Sequence, residues 1–322
     1  MKIQEKTKKD LGLLAFCIAI YAIFRGLIEV EFIGAFWVLN IVLICINIIL
    51  GVSLNLINGF TGQFSIGHAG FMAVGAYMSA VITVKFQLPF LVAIIIGALS
   101  AGILGFVIGL PTLRLKGDYL AIATLGLGEI IRITILNIPY VGGASGFMGI
   151  PRYTDFTWVF FWMVITIFFV KNLIDSSHGR ACISIRENEI AAEAMGVDTT
   201  KYKVLAFTIG AAFAGVAGAL FSHYFYIAHP ASFTFMKSFD ILTIVVLGGL
   251  GSISGTITAA ILLTFVSAAL ASYAEWRMVV YSLMLIGLML YRPQGLFGNK
   301  EFSLKMLGRL TGGAKRGAAQ NK

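Results

Sequence analysis

Charged side chains are scarce in this sequence, and their scarcity excludes a water-soluble globular protein. Asp, Glu, Lys and Arg together make up 12% of the 322 residues, whereas 58% of the residues are hydrophobic. A soluble domain has about 25% charged residues, because its surface faces water. With half that fraction, most of the surface has to face lipid. The mean hydropathy of +0.90 agrees with an integral membrane protein.

Cysteine is also rare, and the sequence lacks the motifs that bind a nucleotide or a metal. Cys17, Cys45 and Cys182 are too few and too widely spaced for a disulfide framework or a metal site. The glycine-containing run at 308–315 lacks the Gly-Lys pair of a phosphate-binding loop, and no strand precedes it. We therefore expect no cofactor bound by this chain and no enzymatic activity of its own.

The sequence instead contains long, continuous runs of apolar residues. A bilayer-spanning helix needs about 20 mostly apolar residues, and only helices or closed barrels satisfy the backbone in lipid. Because the runs do not alternate with polar residues, we predict an all-α polytopic membrane protein with roughly eight to ten transmembrane helices. The predicted spans are 11–28, 35–57, 66–84, 89–110, 118–138, 157–174, 204–227, 239–253, 255–273 and 277–291.

The positions of Lys and Arg determine the predicted orientation. The net charge is +9, and most of the 24 Lys and Arg residues fall in segments that alternate onto one side of the membrane. Cytoplasmic loops carry such an excess of cations. We therefore predict a cytoplasmic N-terminus at 1–10, a transmembrane domain at 11–297 and a basic cytoplasmic tail at 298–322. The glycine-rich polar segments at 58–66 and 239–255 are candidates for broken or re-entrant helices.

Small residues recur at a spacing of four in several of the predicted spans. Lipid does not drive helices together by the hydrophobic effect, so close approach through small side chains has to do so. These rows of small residues predict a tightly packed bundle. The first row comprises Gly97, Ala101, Gly105 and Gly109, the second Ala211, Gly215 and Ala219, and the third Gly251, Gly255 and Ala259.

A first polar segment follows the second predicted span, where polar groups lie at or near membrane depth. Unpaired polar groups there cost several kcal/mol, so they have to face protein, water or a transported solute. The interleaved glycines permit an unwound backbone. Two interpretations stay open, a translocation pathway or gate and hydrogen bonding between helices. The candidate residues are Asn55, Asn58, Thr61, Gln63, Ser65 and His68.

A second polar segment, at 175–203, is the longest polar stretch between predicted spans. Residues 180–195 are predicted to form one short amphipathic helix, with Ile183, Ile190 and Ala194 on its apolar side. Its polar side would carry charges of both signs. Such a surface helix suits either docking of a soluble partner or simple attachment to the membrane interface.

Four stretches of this sequence resemble the branched-chain amino acid ABC-transporter permease family, and its LivM-type subunit in particular. They are residues 55–77, 114–132, 142–151 and 180–196, and the resemblance extends over about 51–295. The resemblance implies a permease subunit of an ATP-driven importer of leucine, isoleucine, valine or related apolar amino acids in the bacterial plasma (inner) membrane. It also implies a second permease subunit in a heterodimer, two ATP-binding subunits that carry ATP and Mg, and an external substrate-binding protein.

The resemblance further assigns the segment at 175–203 as the loop that couples the permease to the ATPase. Permeases of this kind carry a Glu-Ala-Ala-x3-Gly pattern there, and Ile190 stands in place of its glutamate in this sequence. The position of the loop and its mixed charges therefore support the assignment more than the pattern does. The implied coupling residues are Arg180, Arg186, Glu187, Glu189, Ala191, Ala192, Glu193 and Gly196.

Two more charged positions are candidates for function. Glu129 and Arg132 lie three residues apart on one predicted helix, so they can pair. An intramembrane charge marks a pathway in many transporters, but a neutral structural pair is an equal alternative. Arg152 lies in a predicted outer loop and could meet the binding protein, although a solvated arginine is the simpler interpretation.

Other functions remain as alternatives to the amino-acid importer. Related permeases carry other small solutes such as urea, and no single residue of this sequence identifies the transported solute. An ion-coupled secondary carrier would need buried carboxylates, of which only Glu129 and Asp240 are candidates. Gly143-Ala-Ser-Gly146 resembles an intramembrane serine protease motif, but it lies in a predicted loop without the histidine-bearing helix that such chemistry needs.

Overall fold

The computed structural model describes residues 17–113, 115 and 117–271, with isolated positions between 279 and 295. The predicted segments 1–10 and 298–322 and most of the last predicted span lie outside the described residues. The helices are α1 (17–29 as far as described), α2 (Ala35–Asn55), α3 (His68–Val84), α4 (Phe90–Thr112), α5 (Asp118–Leu136), α6 (Phe156–Asp175), α7 (Ser177–Glu187), α8 (Glu189–Ala194), α9 (Thr199–Phe225), α10 (Phe235–Gly248) and α11 (Ile253–Ala269).

Apolar helices make up nearly all of the described fold. Among the described residues, five helices are long and apolar enough to cross a membrane by length and composition, namely α2 with its continuation to Phe60, α4, α5, α6 and α9. Helices α3 and α11 are shorter apolar helices. The described strands are only β1 (Phe147–Met148) and β2 (Ile227–Ala228), which pair antiparallel. The prediction of an all-α polytopic membrane protein is confirmed.

The core of the bundle forms where α3, α4 and α9 pack against one another. Gly75 of α3 lies directly against the backbone of Gly215 of α9, and a Cβ at Gly75 would overlap it. Gly97 and Gly105 of α4 approach α3 and α9 in the same close manner. The predicted packing through small residues is therefore confirmed for α4 and α9, where backbones come into van der Waals contact. Gly251 of the third predicted row lies in the α10–α11 connection, outside the helix.

Both glycine-rich segments interrupt their helices. After Asn55 the chain continues as a π-helical turn, Leu56–Phe60, and residues 61–67 are non-helical before α3 begins. Gly62 has a φ of +73° and thus a conformation that favours glycine. A second interruption separates α10 from α11, where Gly249 and Gly251 also have positive φ.

The predicted single amphipathic helix over 180–195 is wrong, because Asn188 divides it into α7 and α8. Asn188 has an extended backbone, with a φ of −161°. Its side-chain oxygen accepts a hydrogen bond from the backbone N–H of Ala191 at 3.0 Å and so caps α8. Asparagine favours such caps over helix interiors. Ile183 lies half-buried on α7, whereas Ile190 on α8 is 75% exposed.

The bundle has two different ends. We call the first the α7/α8 end; it contains the break after Phe60, helices α7 and α8 and the α10–α11 connection, which hydrogen bonds join. We call the second the loop end; it contains the segment between α5 and α6 and the α9–α10 connection, which β1 and β2 join. Helices α2 and α10 therefore begin at the loop end and finish at the α7/α8 end.

Candidate functional site

Asn55 links the two interrupted segments at the α7/α8 end. Its amide nitrogen donates to the backbone oxygen of Ser252 at 3.0 Å and to Oγ1 of Thr256 at 2.8 Å. Its amide oxygen accepts from the backbone N–H of Gly251 at 2.9 Å. Because Asn55 is fully buried and uses both ends of its amide, its geometry fits hydrogen bonding between helices better than contact with a solute.

Three further predicted residues hold the shape of the non-helical segment. The amide nitrogen of Asn58 donates to the backbone oxygen of Ser65 at 3.1 Å, and the N–H of Ser65 donates to the amide oxygen of Asn58 at 3.2 Å. Thr61 Oγ1 donates to the backbone oxygen of Leu56 at 2.9 Å. These bonds replace the helical bonds that the interruption removes.

Gln63, Ser65 and His68 keep buried polar atoms that have no hydrogen-bond partner within the described part of the chain. The atoms are both ends of the Gln63 amide, Oγ of Ser65 and Nδ1 of His68, while Nε2 of His68 lies 2.9 Å from Oγ of Ser53. Buried polar groups in native proteins are nearly always paired. These three residues therefore fit the predicted pathway or gate better than Asn55 does.

Arg186 joins α7 directly to the interrupted segment. Its Nη1 donates to the backbone oxygen of Gly59 at 3.0 Å, and its Nε and Nη2 donate to Oε1 of Glu187 at 3.0 and 2.6 Å. Gly62 packs so closely on Arg186 that a Cβ there would lie 3.0 Å from Cγ of the arginine. The tertiary structure thus brings the two segments that the sequence singled out into contact.

A cavity of about 420 Å³, the α7/α8 cavity, lies where these segments meet. Glu189 forms an ion pair with Lys203 at 2.7 Å at its wall. Its lining combines predicted coupling residues with predicted gate residues, and comprises Thr61, Gly62, Gln63, Phe64, Leu113, Leu115, Gly117, Leu120, Ile185, Arg186, Glu187, Asn188, Glu189, Ile190 and Lys203.

The remaining predicted coupling residues form the outer surface of α7 and α8. Ala192 is buried, while Arg180, Ala191, Glu193 and Gly196 are exposed. Two large apolar side chains stand out from the same surface, since Ile190 is 75% and Met195 is 85% exposed. Apolar anchors beside charged groups are typical of a protein–protein interface.

Glu129 and Arg132 form the predicted pair, at 2.7 Å between Glu129 Oε2 and Arg132 Nε. The other oxygen of Glu129 accepts from the backbone N–H of Phe235 at 3.0 Å, at the beginning of α10. A carboxylate at a helix N-terminus is stabilised by the helix dipole. Glu129 therefore ties α5 to α10, which agrees with the structural alternative.

Arg152 is exposed at the loop end but is fixed by two tyrosines. Its Nη1 donates to the hydroxyl of Tyr226 at 3.1 Å, and its guanidinium lies 5.1 Å from the ring centre of Tyr224 and 5.7 Å from that of Tyr226. The hydrogen bond with Tyr226 raises the pKa of Arg152 above its ordinary value. The side chain thus presents a fixed positive charge.

The sequence interpretation missed a second cavity, the α2/α10/α11 cavity, of about 330 Å³ near the loop end. The available signal was polar residues at helical spacing inside apolar helices: Asn40 and Asn47 lie seven apart on α2, and Lys237 and Asp240 lie three apart on α10.

Among the described residues, no group of three or more His, Cys, Asp or Glu side chains is placed to hold a metal.

The bundle of apolar helices defines the chain as a polytopic membrane protein, and its buried polar segments and the surface helices α7 and α8 fit a transporter. The chain belongs to the family described as "Branched-chain amino acid transport system / permease component", which matches residues 38–291. This family consists of transport components, as the sequence interpretation expected, and not of enzymes.

Relatives agree with this assignment. The chain is similar to the high-affinity branched-chain amino acid transport system permease protein LivM of Escherichia coli (strain K12), with 37% identity over 86% of this chain and 72% of the relative. The probable LivM permease of Methanocaldococcus jannaschii is 31% identical over 64% of this chain and 69% of its own. The LivH permease of the same E. coli strain is 35% identical over 39% of this chain and 41% of its own. No solved structure matches the chain.

Proposed function

We propose that this chain is a permease subunit of an ATP-binding-cassette importer that carries leucine, isoleucine, valine or related apolar amino acids across the bacterial inner membrane. The observation that carries the proposal is the similarity to branched-chain amino acid permeases over most of the chain. It favours this function over a permease for urea or another solute and over an ion-coupled carrier, the alternatives that the sequence left open.

The proposed assembly contains a second, related permease, two ATP-binding subunits that hold ATP and Mg, and an external substrate-binding protein. The partial similarity to a LivH permease supports two related permeases in one transporter. The α7/α8 end faces the cytoplasm in this proposal, because Lys and Arg concentrate in that set of segments. The loop end then faces the binding protein, with Arg152 as a docking residue.

The proposed coupling runs through α7 and α8. The exposed Ile190 and Met195 anchor α8 on the ATPase, and closure of the ATPase on ATP displaces the helix pair. Arg186 transmits that displacement to Gly59, because the two groups share a hydrogen bond at 3.0 Å. The non-helical segment at 61–67 then rearranges and opens the pathway alternately to each side.

The test is co-expression of this chain with a candidate second permease, ATPases and binding protein, followed by purification and reconstitution into proteoliposomes. We expect the four partners to co-purify, and ATP-dependent uptake of radiolabelled leucine that unlabelled valine and isoleucine inhibit and urea does not. Isolation of the chain without an ATPase would refute the importer. Uptake of another solute without leucine would refute the amino-acid assignment alone.

A further inference from the structure

The α2/α10/α11 cavity has the size and the chemistry of a small-molecule site. Its volume of about 330 Å³ lies in the range of roughly 300–1,000 Å³ that ligand pockets occupy. Apolar and polar side chains line it together, and the lining comprises Phe36, Leu39, Asn40, Leu43, Asn47, Lys237, Asp240, Thr243, Ile244, Leu263, Thr264, Ser267, Ala268 and Ala271.

The polar side chains of this cavity are held in a fixed arrangement. Lys237 Nζ donates to the amide oxygen of Asn47 at 3.2 Å, and the amide nitrogen of Asn47 donates to Thr264 Oγ1 at 3.0 Å. This chain of bonds joins α10, α2 and α11 across the cavity. Asp240 follows Lys237 by one helical turn, so both charges lie on the same side of α10.

The polarity of this surface differs from that of a surface that faces lipid. The exposed side of α4 carries large apolar residues, such as Leu99 at 59%, Ile103 at 64% and Val107 at 59% exposure. A lysine and an aspartate inside an apolar helix are costly in a membrane, and they mark paths for polar solutes. The cavity therefore fits a polar solute better than it fits a lipid contact.

The position of the cavity agrees with delivery from the loop end. Its lining comes from residues 36–47 of α2, 237–244 of α10 and 263–271 at the end of α11. Helices α2 and α10 both begin at the loop end. A solute released at that end would meet this cavity before it reached the interrupted segment at 61–67.

We propose that the α2/α10/α11 cavity binds the transported amino acid as a zwitterion, an inference that rests on the proposed function. Lys237 faces the substrate carboxylate and Asp240 faces the substrate ammonium group. Leu39, Leu43 and Leu263 contact the aliphatic side chain. One opposite charge for each end of the zwitterion selects amino acids, and the apolar wall selects aliphatic ones.

The first experiment uses Lys237→Met and Asp240→Asn in the reconstituted full transporter. Leucine uptake and ATP hydrolysis stimulated by loaded binding protein are measured in the same proteoliposomes. We expect each variant to reduce uptake by about tenfold, since each removes one proposed charged contact with the substrate. Stimulated hydrolysis should persist, because the α7/α8 end is unchanged.

The matched controls are Lys85→Met and Glu31→Gln, which remove a cation and an anion elsewhere near the loop end and should leave uptake unchanged. Uptake that stays normal in Lys237→Met and Asp240→Asn would overturn the proposal. A proportional fall of uptake and hydrolysis would also overturn it, because that result indicates a structural role in the assembly.

A second variant, Leu43→Phe, tests the cavity without altering charge. It narrows the apolar wall, so uptake of leucine should fall by about tenfold relative to uptake of alanine. A purely structural contribution of Leu43 would reduce both substrates alike and would argue against the site. The wild-type transporter tests the proposed function separately: if it fails to take up leucine in the first place, the importer proposal fails, whatever the variants do.

Discussion

The two ends of the helix bundle are built in opposite ways. At the loop end, β1 pairs with β2, Tyr77 donates to the backbone oxygen of Ala228 at 2.7 Å, and Arg152 lies against two tyrosine rings. At the α7/α8 end, Arg186 donates to the backbone oxygen of Gly59, Cys182 of α7 is buried in one cluster with Leu56 and Phe60, and a cavity lies beside them.

The two ends also differ in how completely their buried polar groups are paired. The α7/α8 end also has exposed apolar anchors and buried polar atoms of Gln63 without partners in the described chain. We therefore propose that the α7/α8 end moves and docks the ATPase, whereas the loop end is a fixed framework that docks the binding protein.

The largest expected effect concerns the apolar anchors of α8. Ile190→Asp with Met195→Asp should weaken binding of the ATPase by about 100-fold, because charges replace the two exposed apolar contacts of a proposed interface. The measurement is co-purification of the ATPase at increasing salt and dilution. Met148→Asp, which alters an apolar residue that is 64% exposed at the loop end, should leave ATPase binding intact. Equal losses of ATPase binding would remove the distinction between the ends.

The next effect concerns the link between α7 and Gly59. Arg186→Met removes a charge-assisted hydrogen bond worth about 1.5–3 kcal/mol, so leucine uptake per ATP hydrolysed should fall by about tenfold. The measurement is the ratio of uptake to hydrolysis in proteoliposomes. Lys201→Met is the matched control, since Lys201 is an exposed cation at the start of α9, outside the predicted coupling residues. An unchanged ratio in Arg186→Met would contradict the coupling route.

A third prediction separates two buried amides of the α7/α8 end. Asn55→Leu leaves the buried N–H of Gly251 without its acceptor, so folding stability should fall by about 1–3 kcal/mol. Gln63→Leu removes no protein hydrogen bond of the described chain, so stability should be retained while uptake falls by a few-fold. The measurements are thermal unfolding in detergent and leucine uptake. Normal uptake in Gln63→Leu would show that Gln63 is not part of the translocation pathway.

The smallest effect is expected at the loop end. Arg152→Met removes an exposed cation held over two rings, an interaction of about 0.5–1 kcal/mol. The concentration of loaded binding protein that half-saturates ATPase stimulation should rise by a few-fold, with the maximal rate unchanged. Lys85→Met is the control, because Lys85 lies over the ring of Tyr140 at the same end. No change in Arg152→Met would exclude Arg152 from the docking surface.

Particular residues show how much of the candidate site could be predicted from the sequence. Glu129 and Arg132 were predicted to pair from their spacing alone, and the pair forms because residues three apart lie on one helix face. The second role of Glu129, as an acceptor for α10, could not be predicted, because it joins residues 106 positions apart in sequence. The break at Asn188 was missed, since a local cap outweighed the helical periodicity.

By itself, the sequence determined that this chain is a helical membrane protein and that its helices pack through small residues. Both follow from local composition and periodicity, because lipid demands apolar helices and lacks a hydrophobic drive for their association. Only the tertiary structure decided that Arg186 meets Gly59, that Asn55 binds the α10–α11 connection, and that Lys237 and Asn47 share one cavity. These contacts join residues far apart in the chain, so only the packing of the helices brings them within hydrogen-bond distance.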